Sequence, residues 1–242
     1  MEVQTMTTRT HAQLPNVTES LVQVPVGTIT LEGTLNMPAD PCGVVLFAHG
    51  SGSSRHSPRN RFVAQELNKR GIATLLIDLL TTDEEAVDMR TRHLRFDIKL
   101  LAERLTGATD WLKHNPDTNP LAIGYFGAST GAAAALVAAA NYTETVGAVV
   151  SRGGRPDMAG AALPRVHVPT LLIVGERDAP VISLNEAALE QLPGTKQLTI
   201  VPWATHLFEE PGTLEQVAQV AGEWFYEYLQ PDARARGSTP AL

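Results

Sequence analysis

The chain has 242 residues, 43% of them hydrophobic and 19% charged, with a formal net charge of −7. That length accommodates one large α/β domain with a full core, and the composition is far from that of a disordered chain. A net-negative surface gains nothing from nucleic acid or an anionic membrane, so no such partner is expected.

The single cysteine, Cys42, cannot close an internal disulfide, and no Cys/His cluster has zinc spacing. No metal, no cofactor and a reducing, cytoplasmic setting are therefore expected. The first twenty residues lack the apolar stretch of a secretory signal, and the apolar run Ala132 to Ala140 is about half of what a bilayer crossing needs.

In chain order, residues 1–18 are polar and unpatterned and read as a flexible arm, ahead of a single domain over 19–230 and a flexible tail over 231–242. Leu21 to Val26 and Ile29 to Leu35 alternate apolar with polar around Gly27, which predicts an antiparallel hairpin. Gly43 to Ala48 is a short apolar run suited to a strand buried on both faces. It leads into a loop, His49-Gly50-Ser51-Gly52-Ser53-Ser54.

Ser57-Pro58 marks a helix start, with the helix running to about Arg70 and Gly71 stopping it. Ile72 to Asp78 reads as a strand, and Leu79 to Arg95 as a long charged loop beside a substrate pocket. Helical spacing covers Phe96 to His114. Further strands are expected at Thr145 to Val150, Thr170 to Val174 and Gln197 to Val201, with helices at Leu184 to Leu192 and Leu214 to Leu229. Strands alternating with helices predict a mostly parallel sheet covered on both faces, after an N-terminal antiparallel hairpin.

The densest chemical signal lies in residues 120–140, where an apolar run ends in Gly127-Ala128-Ser129-Thr130-Gly131 and a small-residue helix follows. Glycines two residues either side of a serine allow a strand, a very tight turn and a helix, with the hydroxyl held above the sheet. Asp178 and His206 fall beyond the carboxyl ends of two later strands. The order Ser, Asp, His on one rim suits a nucleophile activated by an imidazole that a carboxylate orients. Glu176 and Asp157 are the substitute acids.

The N–H groups of Thr130 and Ser51, with Gly52 as a further option, are the expected oxyanion donors. Arg55, Arg59, Arg92, Arg95, Arg152 and Arg155 are expected near the same rim. Of these Arg55, Arg152 and Arg155 are candidates for an anionic substrate group, pairing with local acids being the alternative. Trp203 and Phe208 flank His206, and with Met89 and Leu94 they are candidate pocket walls.

GASTG, VGERD and ATHLF, with HGSGSS after GVVLFA, make the chain resemble the α/β-hydrolase superfamily over roughly residues 20–230, in its dienelactone-hydrolase-like branch. HGSGSSRHSPRN and SRGGRPD are the more specific segments. The resemblance implies an α/β-hydrolase fold with a minimal cap and hydrolysis of small esters or lactones. Dienelactone hydrolase itself uses cysteine where this chain has Ser129, so its substrate does not carry over, and Cys42 reads as structural.

The expected activity is cofactor-free cleavage of a small carboxylic ester or lactone, possibly anionic, through an acyl group on Ser129. A hydrolase-fold binding protein with little turnover and an acyltransferase are the alternatives. The sequence is compatible with a monomer or a homodimer.

Overall fold

The structure, a computed structural model, describes residues 17–230. The expected arm lies outside the described residues up to position 16, and the expected tail over 231–242 lies wholly outside them. The alternating residues around Gly27 form β1 (Thr18–Val26) and β2 (Ile29–Met37), antiparallel with Val26 opposite Ile29. The apolar run that follows is β3 (Gly43–Ala48), buried throughout. Helix α1 (Pro58–Lys69) begins where Ser57 caps the Asn60 N–H and Pro58 presets the first turn.

Strand β4 (Ile72–Ile77) precedes the main departure from expectation. The stretch from Leu79 to Arg95 is not a loop. It contains α2 (Thr82–Thr91) and a 3-10 turn at Leu94–Phe96. A capping box starts α2: Thr81 Oγ1 accepts from the Glu84 N–H at 3.2 Å, and Glu84 accepts from the Thr81 N–H at 2.8 Å. Asp83, Glu84 and Glu85 in the first turn also complement the helix dipole.

The remaining elements are α3 (Ile98–His114), β5 (Ile123–Ala128), α4 (Thr130–Asn141), β6 (Val146–Arg152), a kinked 3-10 segment at Pro156–Arg165, β7 (Thr170–Gly175), α5 (Ala179–Gln191), β8 (Lys196–Val201) and α6 (Thr213–Leu229). Helix α5 starts five residues before the expected Leu184, because Pro180 fits its first turn. The 3-10 segment had no counterpart in the sequence reading.

The eight strands lie in the order β1-β2-β4-β3-β5-β6-β7-β8. Strand β2 is antiparallel to β1 and β4, and every pairing from β4 across to β8 is parallel. This is the expected α/β-hydrolase architecture.

Successive residues of the central strands feed two cores, as a pleated strand buried on both faces requires. Val44, Leu46, Tyr125, Val149 and Leu172 pack with α3, α4 and α5 on one face. Val45, Phe47, Phe126, Val150 and Ile173 pack with α1 and α6 on the other. Each fully buried Val, Leu or Phe contributes roughly 1.5–3 kcal/mol. Because β3, β5, β6, β7 and β8 run parallel, Ala48, Ala128, Arg152, Gly175 and Val201 end on one rim, where ligands of open α/β sheets bind.

Candidate active site

Ser129 sits between β5 and α4 at φ 50° and ψ −120°, a conformation that costs a non-glycine residue on the order of 1–3 kcal/mol. Steric fit around it keeps it there. A Cβ on Gly131 would lie 2.3 Å from the Ala48 carbonyl oxygen, and one on Gly127 would lie 2.4 Å from Ala132 Cα. The serine hydroxyl makes no capping bond to α4, so helix termination does not consume it. Its main chain is anchored to β6 and the turn beyond: the Ser129 N–H donates to Arg152 O at 3.2 Å, and Ser129 O accepts from the Arg155 N–H at 3.1 Å.

Asp178 follows β7 at the start of α5 but does not cap that helix. Its Oδ2 accepts from His206 Nδ1–H at 2.6 Å. That bond fixes the tautomer and leaves Nε2 of the half-exposed imidazole as the proton acceptor. The ring lies over the turn that anchors the serine, with His206 Cε1 3.5 Å from where a Cβ on Gly153 would stand. Imidazole and serine therefore pack on the same few residues, 152–155. No hydrogen bond joins Ser129 to His206 among the described residues; bonds of this kind commonly tighten only around substrate.

The loop bearing His206 is tied down by carboxylates. Glu176 Oε2 accepts from the Trp203 N–H at 2.7 Å, so the substitute acid acts as a brace. Glu210 Oε2 accepts from the Thr205 N–H at 3.1 Å, and that bond holds the Glu210 carboxyl below its ordinary range. Gly175 lets the loop close onto β7, since a Cβ there would meet Ala204 O at 2.4 Å.

On the other side of the serine, the loop after β3 passes so close that a Cβ on Gly50 would be 3.0 Å from Ser129 Cβ. Among the described residues no main-chain oxygen accepts the N–H of Ser51 or Gly52. Thr130 opens α4, so its N–H has no acceptor within the helix. Ser51, Gly52 and Thr130 line one narrow cleft. A neighbouring cavity of about 590 Å³ shares His49, Gly52, Ser53, Leu80 and Glu85 with it and extends to Met89 on α2.

Sequence reasoning missed what holds this loop. His49 is buried, with Nε2 accepting from the Leu79 N–H at 3.1 Å and Nδ1–H donating to Gly50 O at 3.0 Å. Burial lowers its pKa and keeps the ring neutral, as both bonds require. Asp88 is also buried. Burial opposes its ionisation, but hydrogen bonds from Arg95 Nε and from the Arg95 and Leu94 N–H groups outweigh that and hold its carboxyl below the usual range. Arg95, anchored in this way, places Nη1 3.3 Å from where a Cβ on Gly52 would stand.

The candidate arginines separate cleanly. Arg55 is taken up by Asp78 and, at 2.6 Å, by Glu32. Arg155 makes a bidentate pair with Asp157 at 2.8 and 2.7 Å. Arg152 is buried with no acidic partner among the described residues. Trp203 is 67% exposed, with the Arg177 guanidinium 5.2 Å from its ring centroid, whereas Phe208 is core. Neither is among the residues lining the cleft or the cavity next to it. Cys42 precedes β3, at the end of the sheet opposite Ser129, and burial raises its pKa. Among the described residues no group of three or more His, Cys, Asp and Glu is placed to hold a metal, and no helix is long and apolar enough to cross a membrane.

Fold and rim together define an α/β hydrolase. The sequence matches the family described as alpha/beta hydrolase domain over residues 41–221. It is similar to a dienelactone hydrolase from Anabaena variabilis, with 65% identity and a TM-score of 0.87 over 90% of this chain and all of that one. The chain thus belongs to the α/β-hydrolase family, in its dienelactone-hydrolase-like branch.

Est1E from Butyrivibrio proteoclasticus shares the fold at 18% identity, with a TM-score of 0.72 over 86% of this chain and 98% of its own. A Mycobacterium tuberculosis protein provisionally named a phosphoribosyl transferase is 59% identical over 215 residues. Those residues are 89% of this chain but 48% of that protein, so the chain spans about half the length of the curated relative it matches.

Proposed function

We propose that the chain is a cofactor-free serine hydrolase of small carboxylic esters or lactones. The observation that carries this is the 2.6 Å bond from His206 Nδ1 to Asp178, which turns the other ring nitrogen into a base on the rim that also holds the uncapped Ser129 hydroxyl. Ser129 Oγ attacks the carbonyl carbon while its proton passes to His206 Nε2. The oxyanion is received by the N–H groups of Thr130 and Ser51 or Gly52. Collapse expels the alkoxide, which takes the proton from His206, and water repeats the sequence on the acyl-serine to release the acid. Each oxyanion donor is worth about 3 kcal/mol in such a site.

Phosphoribosyl transfer is not carried to this chain. The 215 residues shared with the mycobacterial relative overlap the hydrolase match, so we read the shared half of that longer protein as its hydrolase half.

The test is labelling with a fluorophosphonate probe together with turnover on a panel of esters and lactones. Wild type is expected to label, and Ser129→Ala to lose the label and about 10⁴–10⁶ in kcat. A folded wild-type chain that neither labels nor turns over any ester is a binding protein instead. Product diverted to added alcohols or amines would make it an acyltransferase.

A further inference from the structure

The carboxyl end of β6 holds a charge that ester cleavage by itself does not use. Arg152 is 8% exposed, and its Nε and Nη1 are buried without an acceptor among the described residues. Its Nη2 makes only a long 3.4 Å bond to Asn60 Oδ1, and the guanidinium lies 5.9 Å from the Phe208 ring centroid. The neighbouring charge, Arg59, is also positive. Burial first, and Arg59 second, push the Arg152 pKa down to about 10, which leaves it cationic at neutral pH.

A buried cation without a counter-charge is costly, and proteins keep one mainly where something else neutralises it. Three of the other arginines near this rim are already paired with acids: Arg55 with Asp78 and Glu32, Arg95 with Asp88, Arg155 with Asp157. Arg59 has a looser hold, a single 3.3 Å contact with Glu209, whose side chain is 64% exposed. Arg59 and Asn60 both lie in the first turn of α1, which contains no acidic residue and whose dipole adds positive potential. The Arg152 carbonyl takes the Ser129 N–H, so the main chain that carries this guanidinium adjoins the nucleophile.

We propose that Arg152, Arg59 and the amino end of α1 form an anion subsite that takes the carboxylate or phosphate of a substrate whose scissile carbonyl lies at Ser129. Glu209 gives up Arg59 to the incoming group. Two guanidinium groups and a helix end match the several oxygens of such an anion. The assignment of a substrate rests on the ester hydrolysis proposed above; the anion site itself does not.

The experiment has two readouts. Calorimetric titration of the Ser129→Ala chain with inorganic phosphate and with acetate is expected to show saturable binding. Adding Arg152→Gln should weaken it at least tenfold, and adding Glu209→Gln should tighten it. Binding of phosphate alone assigns a phosphorylated substrate, and of acetate alone a carboxylate. With Ser129 intact, the ratio of kcat/KM for 4-nitrophenyl hemisuccinate to that for 4-nitrophenyl butyrate should fall at least tenfold in Arg152→Gln and partly return in Arg152→Lys. Arg59→Gln, at a partly exposed helix end, gives the same test should Arg152→Gln fail to fold.

Absent binding of both anions, binding indifferent to Arg152 and Arg59, or an equal fall on both esters would overturn the subsite. Binding lost on substitution in a chain that turns over no ester would keep the subsite and reject the hydrolysis.

Discussion

The loop after β3 is held by a neutral imidazole, whereas the loop after β8 is held by carboxylates, and the two flank Ser129 from opposite sides. His49 bridges Leu79 and Gly50 with both ring nitrogens, which only its neutral form can do. Glu176 and Glu210 grip the main chain at Trp203 and Thr205, which is best done when they are ionised. The loop after β3 should therefore loosen in mild acid before the loop bearing His206 does. The acid-side loss of stability is then expected first at the loop that His49 holds, ahead of the loop that the carboxylates hold.

The largest effect that probes the comparison is on the carboxylate side. Asp178→Asn should lower ester turnover by about 10⁴ with little loss of stability, because the ring then lacks the acceptor that selects its tautomer. Steady-state kinetics alongside a thermal melt would check this; unchanged turnover would transfer the orienting role elsewhere.

Next in size is the elbow between the two loops. Gly131→Ala should cost about 3 kcal/mol in urea unfolding, since the new methyl meets the Ala48 and His49 carbonyl oxygens at 2.3 and 2.5 Å and backbone must move. A neutral result would mean that the loop after β3 yields more easily than its packing suggests.

The smallest effect bears most directly on the contrast. The pKa of His49 in the fold lies below its unfolded value of about 6.5. The unfolded chain therefore binds more protons once pH falls through 6.5, and stability, fully present above that pH, declines on the acid side. Melting temperatures between pH 7 and 5 should show this decline, and His49→Gln should flatten it. Glu210 has the same sign of dependence but at a lower pH: its depressed carboxyl contributes above about 4.3 and loses that contribution as pH falls further. Glu210→Gln should leave the slope from pH 7 to 5 unchanged. If it were Glu210→Gln that altered this slope, the assignment of the two loops would be reversed.

The sequence reading and the structure agree where the signal is local. Alternation around Gly27, the apolar run Gly43–Ala48, Ser57-Pro58 and the glycines either side of Ser129 each describe their own backbone. Helix α2 escaped because its single buried residue is Asp88, so no apolar stripe marks it; the usable sign was Thr81-x-x-Glu84, a capping box of four residues. Residues 79–95 thus read as polar loop, although Asp88 and Arg95 make them a fixed wall beside Gly52.

The residues that share this rim were readable in order along the chain, because parallel strands set their carboxyl ends on one side whatever fills the interior. Which acid meets which arginine was not. Arg55 finds Glu32 and Asp78, Arg59 finds Glu209 from 150 positions away, and Arg152 finds neither. Strand period, glycine turns and caps follow from the chemistry of a few neighbouring residues, so the sequence alone decided them. Charge pairing, the neutral state of His49 and the isolation of Arg152 depend on distances and burial created only when remote segments pack together.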